Sequence, residues 1–199
     1  LGANDFKIID SNQRINKIFK VDKTIYFQKN GSGIYEILNG EEKLILPSNK
    51  FHDNEIINMY NVDESLLLVT KENGIYNYKN GEVSTWNNKV NEELKNLSIY
   101  SSIRLNDGSF VFGTISEGIL QISPNGDKIL QINQSGGLSN NTVLSAYAGN
   151  KGNLWLGLDN GINCVNLKSP YSVYKDKQGV LGTIYASIKV GDNLYLGTN

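Results

Sequence analysis

The sequence predicts an all-β protein, a β-propeller of four-stranded antiparallel blades, because one pattern returns along the whole chain. Its clearest copy begins at Asn153 and consists of Asn-Leu-Trp-Leu-Gly-Leu-Asp-Asn-Gly-Ile. Related copies begin at Ser109, Ser65 and Thr24, and the chain ends inside another that begins at Asn193. The spacing between copies, about 42 residues, is typical of propeller blades.

Four strands are predicted within each copy, and the best copy shows them in order. Residues 142–148 alternate apolar and small side chains, as a half-buried strand does. A turn at 150–152 leads into the apolar run 154–157, which indicates a strand covered on both faces. A third strand follows at 162–167, and an outer strand is expected at 172–174.

The same order applies to the other copies. First strands are predicted to begin near Ile15, Ile56, Ile99, Val143 and Ile184, and each third strand follows a glycine, namely Gly33, Gly74, Gly118 and Gly161. We therefore expect one propeller segment over 1–199, with about four complete blades at 15–54, 55–97, 98–141 and 142–182. Partial blades are expected at 1–14 and 183–199, and the segment is expected to be part of a larger propeller.

Composition excludes several classes of partner for this segment. The formal net charge is -1 over 199 residues, which gives no global field for a nucleic acid. The arginines are only Arg14 and Arg104, whereas readers of DNA use arginine for guanine contacts. No apolar stretch is long enough to cross a bilayer, and Cys164 has no second cysteine to pair with.

Two stretches of the chain resemble a known family. Gly152-Asn-Leu-Trp-Leu-Gly-Leu-Asp-Asn-Gly-Ile-Asn163 and Gly136-Gly-Leu-Ser-Asn-Asn-Thr-Val143 are similar to two-component-regulator propeller repeats. The resemblance implies the sensor region of a Bacteroidetes hybrid histidine kinase or triple-tyrosine regulator. It further implies a periplasmic location, oligosaccharide or similar nutrient ligands, a triple-tyrosine domain and membrane helix as partners, and a homodimer in the full-length protein.

The sequence offers little for catalysis or metal binding. His52 is the only histidine, and it lies beside Asp53 and Asn54 in a polar stretch between two blades, which is typical of a turn. A zinc site would need more ligands than His52 and Cys164. We therefore expect no enzyme, no metal and no cofactor, while a propeller lyase or glycosidase remains the least favoured alternative.

Ligand contacts are expected at one end of the propeller, where the loops between second and third strands meet the links between blades. Their amides and carboxylates can donate to and accept from sugar hydroxyls. Trp155 is predicted to be core between blades, and Trp86 to be the more exposed aromatic residue. A protein-interaction or dimerisation propeller without its own small ligand is the alternative. The candidate ligand residues are Asn30, Asn73, Glu117, Asp159, Asn160 and His52.

Overall fold

Strands dominate the computed structural model, which describes residues 8, 13–86, 89–171 and 179–198. They form antiparallel sheets in which sequence neighbours pair, as in propeller blades. The all-β propeller predicted from the repeat is therefore confirmed. Among the described residues, no helix has the length and apolar character needed to cross a membrane.

Three blades have four strands each. Blade one contains β1 (Ile15–Val21), β2 (Thr24–Lys29), β3 (Gly33–Leu38) and β4 (Glu41–Pro47). Blade two contains β5 (Ile56–Val62), β6 (Ser65–Thr70), β7 (Ile75–Lys79) and β8 (Glu82–Thr85). Blade three contains β9 (Ile99–Arg104), β10 (Phe110–Thr114), β11 (Ile119–Ile122) and β12 (Lys128–Ile132).

The last two sheets are shorter in the described part of the chain. Blade four contains β13 (Val143–Ala148), β14 (Asn153–Leu158) and β15 (Gly161–Asn166), and a hairpin follows from β16 (Ile184–Val190) and β17 (Asn193–Thr198). The outer strand expected at 172–174 and most of the partial blade expected at 1–14 lie outside the described residues. The predicted starts of all five first strands agree with the structure.

Three hydrophobic clusters hold consecutive blades together. One joins blades one and two around Ile34, Leu46 and Leu68. The next joins blades two and three around Phe110 and Phe112. The last joins blades three and four through Val111, Ile119, Val143, Leu154 and Leu156. The core thus lies between the blades, which explains why second strands such as β10 are buried along their whole length.

A β-bulge recurs at the start of every first strand. In β9, Ile99 pairs with Thr114 and Ser101 with Gly113, so Tyr100 is the extra residue. The same shift occurs in the other four sheets. Bulges re-aim side chains locally. The five bulge residues are Asn16, Ile57, Tyr100, Leu144 and Tyr185.

The residue after the bulge ties each of the first three blades to the next blade. Lys17 Nζ donates to the carbonyl oxygen of Ile57 at 3.4 Å, and Asn58 Nδ2 donates to that of Ser102 at 3.2 Å. Ser101 Oγ donates to the carbonyl oxygen of Val143 at 3.2 Å. Because these bonds satisfy first-strand carbonyls, they fix the distance between neighbouring first strands.

The expectations for the two tryptophans were wrong. Trp86 is 9% exposed and packs in the cluster between blades two and three, where its indole meets the Phe110 ring edge-on. Trp155 is 48% exposed, because it lies on the face of blade four that points away from blade three. A strand in a propeller is doubly covered only where a further blade packs on its second face.

The link between blades two and three contains the helix α1 (Lys89–Leu94). Its Val90 and Leu94 side chains join the cluster between these blades. Asn91 is 1% exposed, and its Oδ1 accepts the backbone N–H of Ile75 at 2.8 Å. The helix therefore supplies the hydrogen bond that the start of β7 needs.

Candidate functional site

One end of the propeller collects the loops between second and third strands and the links between blades. At this loop end, the residue after each second strand donates its backbone N–H to the residue that precedes the first strand of the same blade. Because the same bond recurs in four blades, the loops have a common frame. The four donor–acceptor pairs are Asn30–Arg14 at 3.0 Å, Lys71–Glu55 at 2.8 Å, Ile115–Ser98 at 3.1 Å and Asp159–Thr142 at 3.2 Å.

All six sequence-predicted ligand residues lie at this loop end, in four blades. Asn30, Asn73, Asp159 and Asn160 are exposed in the loops between second and third strands. Glu117 is half-buried in the corresponding loop of blade three, and His52 is exposed in the link from blade one to blade two. Asp159 and Asn160 are neighbours in sequence, but no side-chain hydrogen bond or ion pair joins any two of the six, so they form a dispersed polar surface.

Glu117 is held within its own blade. Its backbone N–H donates to Thr114 Oγ1 at 2.9 Å, and its Oε2 accepts from Gln131 Nε2 at 3.3 Å. Thr114 Oγ1 in turn donates to the Gly118 carbonyl oxygen at 3.0 Å. The Glu117 carboxylate is thus directed towards the outer strand β12.

His52 closes the short 3₁₀ helix formed by residues 48–51 and takes the left-handed conformation, with φ of 58°. Asp53, the next residue, has φ of 53°. The imidazole lies 6.3 Å from the Tyr76 ring, centroid to centroid. These features make His52 a turn residue, as its sequence context predicts.

One cluster at the loop end was not predicted from the sequence. Tyr100, the bulge residue of blade three, is 42% exposed, and Lys71 Nζ lies 5.6 Å from the centre of its ring. Glu55 Oε2 lies 3.6 Å from the same Lys71 nitrogen. An exposed aromatic ring, an ammonium and a carboxylate therefore adjoin one another between blades two and three.

No local sequence signal marks this cluster, which is brought together by the bulge and by the hydrogen bonds at the loop end. Each bulge residue immediately follows the apolar residue that opens its first strand, so Tyr100 stands directly after Ile99. Lys71 and Glu55 come from the recurring loop frame of blade two. The frame places them beside Tyr100 because Ile99 donates its backbone N–H to the carbonyl oxygen of Lys71 at 2.8 Å.

The opposite end of the propeller holds the hairpin turns. In the turn before β10, Asp107 Oδ1 accepts the Ser109 hydroxyl at 2.6 Å and the Ser109 N–H at 2.9 Å. These hydrogen bonds hold the pKa of the Asp107 carboxyl below its ordinary value. The segment 106–109 is therefore a turn, and the described residues contain no group of three or more potential His, Cys, Asp or Glu metal ligands.

Two cavities open on the described surface. The larger, about 480 Å³, runs along the periphery between β12 and β15 and is lined by Gln131, Leu138 and Val165 among others. The smaller, about 290 Å³, lies at the turn end between blades one and two, with Asp22, Tyr26, Glu64 and Tyr78 in its wall. Neither is lined by any of the six predicted ligand residues or by the Tyr100 cluster.

Comparison with known proteins gives the fold a family context. Residues 137–160 match the family model described as two component regulator propeller. The chain is 27% identical over 162 residues to histidine kinase P4 of Formosa agariphila, an alignment that covers 74% of this chain and 12% of that protein. The chain thus spans about an eighth of its curated relative.

Solved structures from B. thetaiotaomicron share the fold. The extracellular domain of a proposed hybrid two component system protein superposes with a TM-score of 0.62 at 17% identity, covering 94% of this chain and 26% of that one. The extracellular domain of a proposed one component system protein gives a TM-score of 0.56 at 21% identity, covering 75% and 21%. The chain is therefore a β-propeller in which residues 137–160 are similar to two component regulator propeller repeats, as the motifs at 136–143 and 152–163 predict.

Proposed function

We propose that this chain is a non-enzymatic part of an extracytoplasmic sensor in a two-component or related regulator, and that its loop end binds oligosaccharides. The single observation that carries the proposal is the Tyr100–Lys71–Glu55 cluster in a propeller whose structural neighbours include extracellular domains of such systems. The periplasm is the corresponding location.

The chemistry of the cluster suits a sugar. The exposed part of the Tyr100 ring offers an apolar face for the C–H side of a pyranose, and binding sites commonly combine such a ring with a few polar groups. Glu55 accepts hydrogen bonds from hydroxyl groups, and Lys71 donates them. The exposed amides of Asn30, Asn73 and Asn160 and the carboxylate of Asp159 extend the polar surface for further sugar units.

Signalling would follow from a population shift. A ligand that binds one arrangement of the sensor more tightly favours that arrangement by its difference in affinity. We propose that the shift passes through a triple-tyrosine domain and a membrane helix in a homodimer, and that this chain performs no chemical step.

A thermal-shift titration of the full-length sensor region against plant, algal and host oligosaccharides tests the proposal. We expect a saturable rise in melting temperature with one glycan class, because a ligand that binds only the folded state stabilises it. Tyr100→Ala should weaken binding by about tenfold, equivalent to about 1.4 kcal/mol. The matched control is Tyr171→Ala, a variant that lacks another exposed ring and should bind the oligosaccharide normally. An equal loss of affinity in both variants would contradict the assigned site.

A protein-interaction platform is the second candidate function. The observation that favours it is the pair of exposed aromatic rings on blade four, Tyr147 and Trp155, since interface anchors are enriched in Tyr and Trp. In that case no oligosaccharide would shift the melting temperature of the full-length sensor region, and the Trp155→Ala variant would lose association with a protein partner.

A further inference from the structure

Blade four has an exposed surface that corresponds to a surface buried between blades in blade three. We define the open face as Ser145, Tyr147, Trp155, Gly157 and Ile162, which cross-strand pairing places on one side of the blade. Tyr147, Trp155 and Ile162 are 69%, 48% and 73% exposed. Such a row of exposed apolar side chains indicates a surface that packs against something.

Blade three shows what normally covers this face. By register, Val111 of β10 corresponds to Trp155, and Ile119 of β11 corresponds to Ile162. Val111 and Ile119 are both 0% exposed, because Val143, Leu154 and Leu156 of blade four pack against them. The covering side chains thus come from the first and second strands of the next blade.

A notch in blade three receives the first of these side chains. It is formed by Ser101 and Gly113, which are cross-strand partners. A Cβ atom at Gly113 would lie 2.8 Å from Val143 Cγ1 and 2.9 Å from the Val143 carbonyl oxygen, and it would also meet Ser101 Oγ. Glycine is therefore required there by the close approach of the next blade.

Blade four has the same notch. Ser145 and Gly157 are cross-strand partners at the same position, and a Cβ atom at Gly157 would meet Ser145 Oγ. Around Gly157 no atom of another blade lies within 4 Å of that Cβ position among the nearest described neighbours. Blade four therefore has the notch, and among the described residues no side chain equivalent to Val143 fills it.

The hairpin β16–β17 carries that counterpart. Ile184 immediately precedes the bulge of β16, as Val143 precedes the bulge of β13. The strand Asn193-Leu-Tyr-Leu-Gly197 likewise repeats Asn153-Leu-Trp-Leu-Gly157, so Leu194 and Leu196 correspond to the buried Leu154 and Leu156. Every residue of β16 is exposed, and so is every residue of β17 except the half-buried Leu196.

We propose that the β16–β17 hairpin docks on the open face as a fifth blade, with Ile184 in the Ser145–Gly157 notch and Leu194 over Trp155. An isolated two-stranded hairpin is marginally stable in water, whereas packing on a further sheet stabilises it. The docked hairpin would pack on blade four in the same way that each earlier blade packs on the one before it. It also places Tyr185 next to Leu144 in the row of bulge residues at the loop end.

Fluorescence of Trp155 tests the docking in the 199-residue chain. In a Trp86→Phe background, Trp155 is the sole tryptophan. We expect low acrylamide quenching in the parent, and at least a twofold higher Stern–Volmer constant after Leu194→Asp. The matched control is Tyr195→Asp, which places the same charge on the neighbouring residue and opposite face of β17 and should leave quenching unchanged.

A disulfide provides a second readout that does not depend on a destabilising charge. In a Cys164→Ser background, Ser145→Cys with Ile184→Cys should form an intramolecular disulfide at low protein concentration, detected by mass spectrometry, while Gly157 stays in place. Ser145→Cys with Tyr195→Cys should not. High quenching of Trp155 in the parent, together with no disulfide, would overturn the proposal. A disulfide or protection of Trp155 that arises only between two chains would also overturn it, because a second copy would then cover the open face.

Discussion

At the scale of single residues, Tyr60 shows how a polar group secures a contact between blades. Its hydroxyl lies 2.9 Å from Ser102 Oγ in blade three and accepts a hydrogen bond from Asn58 Nδ2 at 2.9 Å. Its ring lies 5.3 Å from the Phe110 ring, centroid to centroid. Burial raises the pKa of Tyr60 to about 12.

Because the pKa of Tyr60 is raised, we expect the free energy of unfolding to fall at alkaline pH. Below the ordinary tyrosine pKa of about 10, folded and unfolded states both hold the proton, so the contribution of Tyr60 is fully present. Between that value and the folded pKa of about 12, only the folded state holds it, and the free energy of unfolding should fall by about 1.4 kcal/mol per pH unit. Tyr60→Phe should remove this component, as measured by urea unfolding at a series of pH values.

The control for this experiment is Tyr171→Phe, which removes a hydroxyl from a ring that is 85% exposed. This variant should lose stability at alkaline pH as the parent does. If Tyr60→Phe also lost stability at alkaline pH as the parent does, groups other than Tyr60 would be the cause.

Among single elements, the glycine at the start of the third strand lets the outer strand approach in blades one and three, at Gly33 and Gly118. Gly118 has φ of 72°, and a Cβ atom there would collide with the carbonyl oxygen of Ile132 in β12. The turn therefore needs glycine for two reasons: the backbone conformation, and the closeness of the fourth strand.

Gly118→Ala should therefore lower the free energy of unfolding by more than an alanine that only has to adopt a positive φ. Gly31→Ala is the matched control, because Gly31 has a similar φ of 66° with nothing within 4 Å of the added carbon. The control should cost about 1–2 kcal/mol for its left-handed backbone, and Gly118→Ala about 1–3 kcal/mol more for the clash. Equal free energies of unfolding in denaturant titrations would contradict the steric argument.

Across the molecule, the main contacts between the described blades are with sequence neighbours. In repeat architectures of this kind, stability is close to a sum of nearest-neighbour terms. Blades two and three have a cluster on each side, whereas blade one shares only one of the three clusters. The interior blades should therefore be the last to open.

Native-state hydrogen exchange measures this gradient directly. Amides of β6 and β10 should exchange most slowly, and those of β2 should exchange at least tenfold faster, because end blades open with a smaller free energy. Uniform protection across β2, β6 and β10 would mean that the described blades unfold only as one unit.

The repeat, the strand starts and the end of the propeller where the predicted ligand residues lie all follow from the sequence. These features depend on local patterns: apolar alternation, glycine at turns and the spacing of copies. The position of Asn30, Asn73 and Asp159 at the loop end follows from strand order alone.

Which surfaces are covered depends on how the blades pack against one another. Trp155 has the sequence context of a buried residue, but its exposure depends on whether a further blade packs against blade four. The Tyr100–Lys71–Glu55 cluster depends on a bulge and on the spacing of two blades, neither of which has a local sequence signature strong enough to identify it. Burial and side-chain clusters in a propeller arise between blades, so a pattern confined to one blade does not specify them.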